Sequence, residues 1–182
     1  MNDQVKSTPV EYQESTPGSS HQHPAPVGTT VKTSIERGNV YLRPTLYNVL
    51  ITMKEVARGK EAEKRLQAQG IPGKPSKAEY EYILAKISFG YYPRGKGGKD
   101  ADYKLLEGQF AAISKEGVEY EVPVVPQQPQ PSLIDCTFAP GSTHDGWLLL
   151  QVPRAEEKPL LIYKREHIEG AYSIWGYIWF QL

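Results

Sequence analysis

Apolar and polar side chains alternate along most of the chain from Thr29 onward, and proline or glycine cuts the alternation into short pieces. Tyr47, Val49, Ile51 and Met53 share one face of the run from Leu46 to Val56, and Ile83, Ala85, Ile87 and Phe89 share one face of the run from Tyr80 to Tyr92. A period of two is the mark of a strand with one buried face. The same reading predicts strands at Val31–Ile35, Val40–Arg43, Leu105–Ser114, Val118–Val122, Ser132–Phe138, Gly146–Val152 and Pro159–Tyr163. Lys115-Glu116-Gly117 supplies a tight turn, so Leu105–Ser114 and Val118–Val122 are expected to form a hairpin. In Ser132–Phe138 the alternation places Ile134, Cys136 and Phe138 on one face. In Gly146–Val152 it turns Leu148, Leu150 and Val152 inward.

One segment breaks this grammar. Arg58 to Gln69 is rich in Ala, Glu, Lys, Arg, Leu and Gln, which are good helix formers. Ala62 and Leu66 make a narrow apolar stripe, Glu61 stands four residues before Arg65, and Gly70 with Pro72 ends the helix. Many short strands with one helix predict an all-β chain, an immunoglobulin-like two-sheet antiparallel β-sandwich.

Residues 1 to 28 are different: Ser, Thr, Pro and Gln dominate and apolar side chains are few. Such a segment buries too little surface to offset its ordering entropy, so it is predicted to be a disordered tether before a domain at 29–182. Pro123 to Pro131 is expected to be a stiff, extended crossover between sheets.

Composition narrows the function. Twenty-one Lys and Arg balance 21 Asp and Glu, and a neutral chain lacks the basic footprint of a nucleic-acid binder. The single cysteine, Cys136, rules out an internal disulfide and lies on the apolar side of its strand, as a small hydrophobe rather than a nucleophile. Ser142, His144 and Asp145 have the side-chain types of a hydrolytic triad but are neighbours on a turn, which seldom brings such groups into line. Gly95-Lys96-Gly97-Gly98-Lys99 is followed by Asp100 and by no helical pattern, so it reads as a strand-connecting loop rather than a phosphate loop. His21 and His23 fall one or two ligands short of a stable metal site. No catalytic residue, metal or cofactor is expected.

The last segment, Ser173 to Leu182, is apolar on both faces: Ile174, Ile178 and Phe180 on one, Trp175, Tyr177 and Trp179 on the other. A strand exposed on one side should show polar residues there. Either something covers the second face or it is a binding surface for a protein or a sugar. The candidate binding surface is Trp175, Tyr177 and Trp179 together with Tyr91 and Tyr92.

Three features occur in a fixed order: Arg58-Gly59-Lys60-Glu61-Ala62 opening a helix, Glu81-Tyr82-Ile83-Leu84 in a strand, and Phe138-Ala139-Pro140-Gly141-Ser142 leading to Gly146-Trp147 and Gln151-Val152-Pro153. With the turn at Gly117-Val118-Glu119-Tyr120, this order resembles the bacterial telokin-like extracellular domain family of unknown function, over about residues 29 to 165. The resemblance implies an immunoglobulin-like sandwich similar to the secreted mycobacterial immunoprotective antigen. It also implies a place outside the cytoplasm, as a surface lipoprotein whose signal and lipid-acceptor cysteine would lie upstream of residue 1. The expected partner is another protein or a cell-wall glycan. The family carries no agreed catalytic residues to transfer. A sandwich that presents the proline-rich loop to a protease is the rival reading, and a small hydrolase using His144 and Asp145 a second.

Overall fold

The computed structural model describes residues 16–37, 45–95, 102–165 and 176–182. Their strands are β1 (Thr30–Arg37), β2 (Thr45–Arg58), β3 (Tyr80–Pro93), β4 (Tyr103–Lys104), β5 (Phe110–Ile113), β6 (Thr137–Phe138), β7 (Ser142–Pro153), β8 (Leu160–Lys164) and β9 (Tyr177–Gln181), with one helix, α1 (Lys60–Gln67). β1-β2-β3-β7 form a four-stranded sheet, β5-β8-β9 a three-stranded sheet and β4-β6 a small ribbon, and each ladder is antiparallel. The chain is therefore an all-β sandwich, with the layer sizes of an immunoglobulin-type domain.

The alternation explains the core. Tyr47, Val49, Ile51 and Met53 of β2, Ile83, Ala85, Ile87 and Phe89 of β3, and Leu148, Leu150 and Val152 of β7 are all buried in one cluster. Phe110, Ala112, Leu161, Tyr163 and Phe180 of the three-stranded sheet close that cluster from the other side. Each fully buried Val, Leu, Ile, Phe or Met among them contributes roughly 1.5–3 kcal/mol. Phe89 lies at the centre, with ring centroids of Phe138, Tyr163, Tyr103 and Phe110 at 4.9, 5.7, 5.8 and 6.5 Å. The tyrosines bring hydroxyls into this core, and these find partners: Tyr103 and Tyr163 hydroxyls are 3.0 Å apart, and Gln109 Nε2 donates to Tyr103 at 2.6 Å.

α1 packs Ala62 and Leu66 on the outer face of the four-stranded sheet, against Ala57, Tyr82, Leu84 and Leu149. Gly70 takes φ 72°, the left-handed turn that ends the helix, and Ile71 N–H bonds back to Leu66 at 3.0 Å. Arg65 bonds Glu61 at 2.7 Å and Glu55 at 2.6 Å, and its guanidinium lies 5.5 Å from the ring of Trp147. The helix end, stripe and ion pair follow the sequence pattern.

Three expectations are corrected. Residues 16–28, read as tether, are part of the domain. Ala25 N–H bonds Trp179 carbonyl at 2.8 Å, Gln181 N–H bonds Ala25 carbonyl at 3.0 Å, and Trp179 N–H bonds Gly18 carbonyl at 3.0 Å. Ala25 is fully buried in the main core, and Gly28 N–H bonds Met53 carbonyl of the opposite sheet at 2.8 Å. Backbone pairing and one small apolar side chain hold a segment whose composition looks unfoldable. Residues 1–15 lie outside the described residues.

The strand expected over Ser132–Phe138 shrinks to β6. Asp135 takes φ 63° and breaks the alternation, so Leu133 and Phe138 are buried while Ile134 and Cys136 are only partly so. Leu105–Ser114 likewise shortens to β5, because Glu107-Gly108 turns the chain with Gly108 at φ 87°. The expected hairpin survives as a short pairing: Ser114 N–H to Val118 carbonyl at 2.8 Å and Tyr120 N–H to Ala112 carbonyl at 2.9 Å. The strand expected at Val40–Arg43 lies outside the described residues.

Candidate binding surface

β9 has two apolar faces because the two layers use it differently. Phe180 and Ile178 point into the main core. Tyr177 and Trp179 stand on the outer face of the three-stranded sheet. Trp179 rests on Ala111, Ile113, Leu160 and Ile162, the outward residues of β5 and β8. Its ring meets Tyr177 edge-on at 5.9 Å and 73°, and His21 at 5.8 Å and 62°. Tyr177 is 42% exposed and Trp179 half-buried. Beside this ring group runs an open groove floored by Pro24, Pro159, Leu160 and Leu182 and flanked by Lys115 and Lys158.

Only part of the expected surface assembles here. Trp175 lies outside the described residues. Tyr91 is 0% exposed, so it is not a surface residue: it stacks on Tyr47 at 4.5 Å and Tyr103 at 5.3 Å in the core. Burial, with the Tyr47 hydroxyl as a second cause, holds its phenol well above the usual tyrosine range. Tyr92 points to the outer face of the other sheet. There it is half-buried, covers Gly90 and shares a hydrogen bond with Thr143 Oγ1. A side chain at Gly90 would meet the Tyr92 ring at 2.7 Å, so the glycine is the floor on which that ring lies. The sequence missed His21 as a partner of the aromatic group, since nothing in a Ser/Pro/His segment signals which strand it will meet.

The residues weighed as chemistry are placed apart. Asp145 sits on the opposite face of β7 from His144. Its carboxylate bonds Lys54 at 2.6 Å, which with Ser88 holds its pKa below the usual range. His144 meets the buried Phe138 edge-on at 5.0 Å, and Ser142 Oγ donates to Ala139 carbonyl at 2.7 Å. Cys136 Sγ donates to Ser132 carbonyl at 3.0 Å, and burial together with the Asp135 charge pushes the thiol pKa up, away from the reactive thiolate. His23 Nδ1 lies 3.4 Å from Ser20 Oγ. Among the described residues no three His, Cys, Asp or Glu side chains gather as metal ligands. Lys96 and Lys99 of the glycine-rich loop lie outside the described residues.

No family model matches the chain, and no curated protein matches it. Among solved structures, the chain is similar to the yjhA protein from Bacillus subtilis. That likeness covers 76% of this chain and 79% of that one, with 12% identity and a TM-score of 0.45.

Proposed function

We propose that this protein is a non-enzymatic binding module of the telokin-like kind, working outside the cytoplasm at a bacterial surface. It takes a protein or cell-wall glycan on the outer face of β9. The observation that carries the reading is the Tyr177–Trp179–His21 ring group beside an open groove. Rigid rings lose little entropy on binding and offer flat faces to a sugar or an apolar side chain. The family resemblance supports the same role and compartment, and the balanced charge speaks against a nucleic-acid partner.

Tyr177→Ala is the clean test, because Tyr177 is partly exposed and outside the core clusters. Binding to a glycan array or to isolated cell walls is expected to fall while the melting temperature stays. Unchanged binding in Tyr177→Ala and Trp179→Ala would remove the surface from consideration. Finding the native protein only in the cytosolic fraction would remove the compartment.

A further inference from the structure

A second surface lies on the proline-rich segment. Glu121 is held by Lys77 at 2.9 Å. Burial then alternates: Val122 is exposed, Pro123 buried, Val124 98% exposed, and Val125 half-buried against the cluster under α1. Downstream the chain is tied again. Gln127 Nε2 donates to Gln69 carbonyl at 2.8 Å, Gln130 N–H donates to Gln69 Oε1 at 2.7 Å, and Trp147 N–H bonds Pro131 carbonyl at 2.7 Å. Between the ties, the backbone of residues 121–126 makes no hydrogen bond to the described residues.

We infer that residues 121–126 are a preformed extended ligand for an endopeptidase cleft selective for small aliphatic side chains, and that the chain blocks such an enzyme. A cleft of that kind pairs with backbone N–H and C=O groups and seats alternate side chains in pockets. Here the N–H groups of Val122, Val124 and Val125 and the carbonyls beside them bond none of the described residues, and Val122 and Val124 project on the same side, about 7 Å apart by strand geometry. No charged side chain occurs from Val122 to Pro126. Prolines at 123 and 126 fix φ and the flanking ties hold both ends, so little ordering cost remains to oppose binding. The Pro-x-x-Pro spacing would also suit a proline-reading domain. That mode needs both prolines on one free edge of a three-residue helix, and Pro123 is turned into the domain. The surface is separate from the β9 rings and does not depend on them.

The test titrates the full chain against serine endopeptidases that prefer small aliphatic, aromatic or basic residues, with mass spectrometry of the chain afterwards. Inhibition is expected only for the first group, with the chain intact. Val124→Ala should weaken it by about 10-fold, within the range for lost methyl contacts in an apolar pocket. Val124→Asp should abolish it, with an unchanged melting temperature showing that the variant is folded. Val118→Asp, at an exposed valine outside the segment, should inhibit like the parent. Three results would overturn the inference: no inhibition across the set, inhibition indifferent to Val124→Asp, or turnover of the Val124–Val125 bond like an ordinary substrate. Capture of the segment by a proline-reading domain, with no protease inhibited, would overturn it as well.

Discussion

Residues 16–28 and 121–131 have similar compositions and opposite fates. Both are rich in proline and poor in large apolar side chains. The first lays its backbone along β9 and sinks Ala25 into the core. The second fastens its ends, and the backbone of its middle pairs with none of the described residues, with Val124 in solvent. The difference rests on small residues. Gly18 is buried at φ 86°, 3.1 Å from Val31 Cγ2 by its would-be side chain, and Ala25 is fully buried in the core. Residues 122–126 contain no glycine or alanine, and Pro123 and Pro126 lack the N–H that a ladder needs. Composition alone cannot separate a docked segment from a presented one; the positions of glycine and alanine can.

The largest expected break in this contrast is Ala25→Asp. It places a carboxylate at a fully buried site with no partner, at a cost of about 3 kcal/mol or more. Thermal or urea unfolding measures this directly. A variant as stable as the parent would mean that residues 16–28 are not docked.

Gly146→Ala comes next. A Cβ there would lie 2.6 Å from Leu133 N and 2.8 Å from Leu133 Cα, both backbone atoms, where the second segment lands beside β7. The expected cost is about 1–3 kcal/mol. Limited proteolysis should show earlier cuts in 121–131 as the landing loosens, and an unaltered cutting rate would separate that landing from the segment's order.

The smallest effect concerns Tyr120, whose hydroxyl donates to Glu156 at 2.9 Å just ahead of the presented stretch. Burial first, then this bond, raises the phenol to about 12. An unfolded tyrosine titrates near ~10. The stability tied to the protonated phenol is therefore complete below about pH 10 and is lost as the pH climbs through about 12. Tyr120→Phe cannot titrate, so its stability should fall less steeply between pH 10 and 12 in alkaline denaturation curves. Parallel curves for the two proteins would show that this tie does not hold the segment.

Strands with one buried face were legible in the sequence because burial there has a period of two. Extending that period would also have placed Tyr91: Ile87, Phe89 and Tyr91 are in phase, so the same rule that marks Phe89 as core marks Tyr91. Treating Tyr91 and Tyr92 as a surface pair ignored that neighbours on a strand face opposite ways. The split of Ser132–Phe138 was not legible, since a left-handed Asp135 leaves no periodic trace. On β9 the doubled apolar pattern announced two covered or recognising faces. It could not say that His21 would arrive from elsewhere in the chain to meet Trp179.

The docking of residues 18–25 along β9 also governs behaviour in concentrated solution. A terminal strand with bare amides is a template on which another copy can add, and the outcome is aggregation or exchange of segments between chains. Here the sequence supplies its own stopper for that strand. A protease that removed the stopper would take Ala25 out of the core and bare the amides of Trp179 and Gln181 to a second chain.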